Sequence, residues 1–341
     1  MSAGLISFPL LTEPWAWTLL RLLVGFCMSG IYVAAESWLN NAAGNETRGK
    51  VLSAYMIAQT LGIIGAQGLL TLGDAATSVL FICASILVSV SFAPILLSAT
   101  PVPAVDVARP MSLRALFAGS PLGTVGIFLL GSVYATQSGM GAVFGSQIGM
   151  SASQIALFVA MLFAGALVLQ YPIGWLSDQM DRRKLIFGAS ALGAASCALG
   201  WIGGGALWSL MASAFLAGGV TTPLYALFLA YTNDTLPTED MPAASGGLVF
   251  TFGLGAITGP LIAGWAMQSL DPYAFWLVLG TTFGAIAAYA LFRMTQRATV
   301  TSETTENYLG VLPSASPIAV EAAGVWAAEH ADADREAESS S

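Results

Sequence analysis

Nine long apolar stretches follow one another along the chain, at roughly 15–39, 50–72, 77–99, 120–141, 152–176, 185–203, 206–231, 246–268 and 272–292. Each is long enough to cross about 30 Å of hydrocarbon as a helix rising about 1.5 Å per residue, so each predicts a membrane span. The polar connections carry a second pattern. Of the 11 Lys and Arg residues, ten fall in alternate connections or in the tail: Arg48, Lys50, Arg109, Arg114, Arg182, Arg183, Lys184, Arg293, Arg297 and Arg335. The connections at 73–76, 142–151, 204–205 and 269–271 hold none. Cytoplasmic loops are the ones enriched in basic residues, which puts the first set and the tail after 292 in the cytoplasm. The eleventh, Arg21, sits inside a span.

Composition agrees with lipid as the solvent. A mean hydropathy of +0.75, with 56% hydrophobic and 9% charged residues, leaves too little polar surface to coat a soluble globule of this length. The net charge of −8 belongs mostly to residues 293–341, which hold 3 basic and 8 acidic side chains, and it gives no reason to expect a nucleic-acid partner. Cys27, Cys83 and Cys197 all lie within predicted spans without paired spacing, and read as small packing residues. No metal-ligand set and no cofactor fingerprint is present. Gly44 to Lys50 comes within one residue of a phosphate loop, but Val51 replaces the hydroxyl that would hold magnesium and no strand precedes it.

The polar break at 100–118, with three prolines and Asp106, Arg109 and Arg114, reads as a cytoplasmic linker between two helical bundles. It separates a partial N-terminal bundle (1–99) from a six-span C-terminal bundle (119–292). Residues 293–341 form an acidic tail without apolar periodicity, expected to be disordered, with a short helix possible at 319–330. Residues 2–12 form an apolar run of about 16 Å as a helix, half a membrane thickness. With Glu13 and Pro14 on the outer face, that run is expected to be the outer half of an outward-running span that starts upstream.

Specific motifs sharpen this picture. The run Arg21 to Gly25, then Gly30, Glu36-Ser37-Trp38-Leu39-Asn40 and Arg48-Gly49-Lys50, resembles the fourth-span motif of the major facilitator superfamily. Gly174-Trp175-Leu176-Ser177-Asp178, followed by Asp181-Arg182-Arg183-Lys184, resembles that superfamily's loop motif as it recurs between spans 8 and 9. Asp181 stands where the family usually has Gly, and Gln179 where it usually has a basic residue. The likeness covers residues 1–292. With Gln170 to Gly174, it is similar to a bacterial branch grouped with small-molecule efflux and sugar-type carriers. The resemblance implies an all-α polytopic fold, with the first stretch the end of span 3 and about two and a half spans missing before it. It implies a secondary transporter of the bacterial plasma (inner) membrane, working by alternating access and favoured as a monomer. The alternative is a truncated, non-transporting remnant, since spans 1 and 2 normally line the cavity; less favoured is a membrane-embedded enzyme, which would need an intramembrane His, Asp or Cys cluster that the sequence lacks.

Few polar groups lie within the spans, and those few cluster by helix face. Tyr55 and Gln59 share a stripe of span 5, Tyr134, Gln137 and Ser138 one of span 7, and Thr221 and Tyr225 one of span 10. Uncharged hydrogen-bonding groups beside aromatics suit a neutral or amphipathic solute, although interhelical hydrogen bonding accounts for each alone. Arg21 either faces the interior or a watery path, or snorkels to the outer headgroups. Among the residues that the resemblance marks as a conformational latch, Glu36 looks like a partner for a basic residue of an absent loop. Asp178 is expected to cap the start of span 5 near Gly49 to Leu52, where helix N–H groups favour a carboxylate. Asp234 is the symmetric counterpart of Glu36 and is expected to meet Arg182 or Arg183. Gly255, Gly259 and Pro260 serve span 11 as a close-packing stripe or as a hinge. Proton coupling, if it occurs, would fall to Glu36 or to upstream residues.

Overall fold

The computed structural model describes residues 1–42, 45–70, 77–93, 111–203, 205–237 and 240–296, together with 311, 313, 315, 316, 319 and 320 of the tail; the side chains of 40–50, 52 and 242 lie outside this description. Eleven helices and no strand occur among these residues. They are α1 (Ser2–Ser7), α2 (Pro14–Ala42), α3 (Asn45–Leu69), α4 (Val79–Ser91), α5 (Leu113–Gly119), α6 (Pro121–Gln147), α7 (Ala152–Ser177), α8 (Arg182–Ile202), α9 (Leu207–Asn233), α10 (Met241–Ser269) and α11 (Ala274–Gln296). Seven of them, α2 and α6 to α11, are long and apolar enough to cross a membrane. α3 reaches 25 residues but spends its first turns on polar sequence that includes Arg48 and Lys50. α4 is described over 13 residues, and 94–100 beyond it lie outside the described residues.

Local sequence sets the boundaries. Ser151 and Gln154 form a reciprocal capping box at the start of α7, with Ser151 N donating to Gln154 Oε1 at 2.8 Å and Gln154 N to Ser151 Oγ at 3.3 Å. Pro121 opens α6, where a missing N–H costs nothing. Gly149 turns the chain between α6 and α7 at φ 80°, a left-handed conformation that a side chain would strain.

The six helices α6 to α11 pack in pairs. α6 lies against α10, α7 against α9, and α8 against α11, while α9 also contacts α6 and α8. α9 is accordingly the most enclosed of the spans, with 83% of its apolar window buried. Glycines let two of these pairs approach backbone to backbone. A Cβ on Gly255 would meet the Phe128 carbonyl, one on Gly259 the Ser132 carbonyl, and one on Gly131 the Phe252 carbonyl, which closes α10 onto α6. Gly165 against the Phe215 carbonyl and Gly218 against the Leu162 carbonyl do the same for α7 and α9. On the opposite side of α10, Ile257, Leu261 and Trp265 stand one turn apart and are exposed, the surface expected of a lipid-facing stripe.

The N-terminal helices repeat part of this arrangement. α1 packs on α4 as α8 packs on α11, and Ser2 Oγ lies 2.6 Å from Ser85 Oγ and 2.8 Å from Ser89 Oγ. α3 leaves its own half to pack against α7. A few residues of the tail are described. Val311, Ala315, Ser316, Ala319 and Val320 are buried, the apolar four within the same core cluster as Met56 and Tyr225. Small side chains lacking periodicity signal no element of their own, yet they fit a groove that other helices build.

Candidate solute pathway and polar network

Near the middle of α6 and α9 a small recess, with a free volume of about 10 Å³, opens between the helices. Tyr134, Gln137 and Ser138 line it from α6, Leu162 and Ala166 from α7, and Thr221 and Thr222 from α9. Three residues singled out from sequence, Tyr134, Gln137 and Thr221, thus come together. Thr221 Oγ lies 3.1 Å from Gln137 Oε1 and 2.8 Å from the Ala217 carbonyl, either of which it can donate to. Gln137 is buried, and its Nε2 has no hydrogen-bond partner among the described residues. One turn beyond Thr221, Tyr225 is fully enclosed with its hydroxyl unpartnered in the same sense. Phe252 of α10 joins the two tyrosines, its ring centroid 5.3 Å from that of Tyr225 and 5.7 Å from that of Tyr134. Pro223, inside α9, removes a backbone donor and so frees a carbonyl one turn back, beside the recess.

A second polar site joins the two halves. Glu36, on α2, is wholly buried, and no Lys or Arg among the described residues pairs with it. Two neutral donors serve its carboxylate instead. Tyr55 Oη donates to Oε1 at 3.1 Å, and the backbone N–H of Ser316 donates to Oε2 at 2.6 Å. Gln59 hydrogen-bonds Tyr32 beside it, and Tyr225 lies within electrostatic reach of the Glu36 carboxylate. Tyr55, Gln59, Glu36 and Tyr225 therefore form one neighbourhood.

The third group closes the end of the bundle where α7 meets α8 and α9 meets α10. Arg182 Nη1 pairs with Asp234 Oδ2 at 2.6 Å, both side chains almost fully buried, while Arg182 Nε donates to Ser177 Oγ at 3.2 Å. Arg183 turns away to Asp181, with Nη2 to Oδ2 at 2.9 Å and Nε to Oδ1 at 3.2 Å. Asp181 also accepts from the Arg183 backbone N–H, and so caps α8. Asp178 ends α7 as an exposed residue. The contact expected of it at Gly49 to Leu52 falls where most side chains lie outside the described residues.

Arg21 belongs to none of these groups. It is exposed on α2, with its guanidinium over the Phe8 ring at 5.7 Å. Gly255 and Gly259 lie in the α6–α10 seam, and Pro260 follows them within α10. Sequence reasoning passed over Phe252, Tyr32 and Ser316. The first two show only as aromatics in apolar runs, and Ser316 acts through its backbone, which no side-chain pattern reports.

A model of the Major Facilitator Superfamily matches residues 122–328, more than half of the chain. With the paired helices and the motifs above, this makes the chain a member of the Major Facilitator Superfamily of membrane transporters. It is similar to the uncharacterised MFS-type transporter YfkF of Bacillus subtilis, 25% identical over 296 residues, which cover 83% of this chain and 74% of the relative. The uncharacterised MFS-type transporters YE1530 of Yersinia enterocolitica (26% over 275 residues, 78% and 69% covered) and YcaD of Escherichia fergusonii (23% over 291 residues, 83% and 74%) are similar too.

Proposed function

We propose that this chain carries a small neutral or amphipathic solute across the bacterial inner membrane as a secondary transporter, with the recess between α6 and α9 as part of its binding site. The unpartnered buried donors carry the reading. Gln137 Nε2, in the recess lining, and the Tyr225 hydroxyl, one turn from Thr221 of that lining, have no acceptors among the described residues. A buried donor left unsatisfied costs about 1–3 kcal/mol, a cost that a solute offering oxygen acceptors would remove. Tyr134 and Phe252 supply an apolar face, and the described lining holds no charge.

Alternating access then needs a closure that forms and breaks. Arg182 with Asp234, braced by Arg183 on Asp181, forms the latch at the cytoplasmic end, with Asp178 and Glu36 beside the line where α3 meets α7. Gly255, Gly259 and Pro260 keep α10 fixed on α6 while the bundles rock. Proton coupling falls to Glu36, a buried carboxylate that no described Lys or Arg neutralises.

Binding by purified protein tests the reading. Intrinsic fluorescence is followed against a panel of neutral and amphipathic solutes. Gln137→Ala and Tyr225→Phe should each weaken the best binder at least tenfold while the melting temperature holds. Unchanged affinity in both variants would remove the recess from the pathway.

A further inference from the structure

Where α8 begins and α11 ends, cations outrun the carboxylates that could hold them. The geometry points to a binding site there for the phosphate of an anionic phospholipid, anchored by Arg293 with Lys184 as a second cation. The basic loops assign this end of the bundle to the cytoplasmic leaflet. The site stands apart from the solute recess and does not depend on it.

Three close approaches fix how α8 and α11 run past each other. A Cβ on Gly200 would meet the Trp276 ring, one on Gly280 would touch Cys197, and one on Gly193 would meet the Phe283 ring. Continued for about three more turns, this antiparallel register sets Arg293 level with Arg183 at the start of α8. Arg293 is half-buried there, and its Nε is enclosed with no hydrogen-bond partner among the described residues. The carboxylates of this end are already taken. Asp234 holds Arg182, Asp181 holds Arg183, and Asp178 has interactions of its own. The last carbonyls of α11 offset a cation by only about 0.3–1 kcal/mol, less than a desolvated charged donor costs when left unmatched. Lys184, exposed on the first turn of α8, adds a cation that pairs with no described carboxylate.

Position selects a lipid over a free ion. The 23 residues of α11 rise about 34 Å, so Arg293, three residues from the end, comes where hydrocarbon gives way to headgroups. Leu291 and Phe292, just before it, are exposed, and the Phe292 ring stacks on Tyr289 with centroids 6.4 Å apart. Acyl chains cover a surface of that kind, while phosphate oxygens accept the paired N–H groups of a guanidinium. Basic pockets between spanning helices on the cytoplasmic side suit anionic headgroups for the same reason.

The test titrates the purified full chain in detergent with phosphatidylglycerol or phosphatidylcholine of the same acyl chains, and counts bound lipid by native mass spectrometry. We expect the parent to hold phosphatidylglycerol at least tenfold more tightly than phosphatidylcholine, and Arg293→Gln to lose that preference. Arg293→Lys keeps the charge without the paired N–H groups, and should lower the preference about threefold. It also serves if Arg293→Gln fails to fold, which the melting temperature without added lipid reveals. Arg114→Gln removes an exposed cation on α5 and should match the parent. Equal preference in the parent and both Arg293 variants would overturn the site, as would an equal loss in Arg114→Gln, which marks unspecific attraction to charge. Displacement of phosphatidylglycerol by an equal concentration of glycerol 3-phosphate would show a site for soluble phosphates instead. A parent without any preference would mean that something other than lipid meets Arg293.

Discussion

At the scale of single residues, the buried ion pair is the contact with the clearest energetic meaning. Arg182 and Asp234 are both nearly inaccessible, so removing one partner strands a charge away from water. Asp234→Asn should cost about 3–5 kcal/mol, read as a lower melting temperature of the purified protein, whereas Arg182→Met with Asp234→Leu should restore most of it. A single variant as stable as the parent would show that water reaches the site. The sequence allowed either Arg182 or Arg183 to meet Asp234. Asp181 decides the matter by capping α8 and taking Arg183 for itself, a local choice that only backbone geometry reveals. Glu36 shows the opposite limit. That it lacks its expected basic partner was legible, but one of its two donors is a backbone N–H 280 positions away in sequence.

At the scale of elements, the glycine seams define how the six-helix bundle holds together. Gly255→Ala would drive a methyl group into the Phe128 carbonyl, whereas Gly253→Ala on the same helix meets nothing within 4 Å. The first should lose about 1–3 kcal/mol of stability and the second almost none, which thermal unfolding in detergent compares directly. Equal melting temperatures would mean that the helices part with little cost. Small residues four apart announced a close approach from sequence alone. That α6 was the partner did not follow, because pairing between distant spans leaves no periodic signal. α3 illustrates the remaining gap: its length was readable from its own sequence, while its approach to the end of α7 was expected only through the family resemblance and Asp178, and no periodicity of α3 itself reports that it packs there.

At the scale of the whole molecule, the one-sided basic loops predict an orientation in the bilayer. With Cys27, Cys83 and Cys197 replaced by Ala, Thr77→Cys should react with an impermeant maleimide applied to intact cells and Gln179→Cys should not; the reverse pattern would invert the molecule. The two-sided character of α10 bears on how such a chain changes over generations. Ile257, Leu261 and Trp265 face outward, where any apolar group of moderate size dissolves equally well in lipid, so exchanges there are nearly neutral. Gly131, Gly165, Gly218, Gly255 and Gly259 allow no such drift, since every replacement adds atoms where a neighbouring carbonyl already stands. The outer side of α10 is thus specified only by solubility in oil, and its glycine side by fit. A sequence constrained in that way can wander to about a quarter identity with its relatives and still assemble the same bundle.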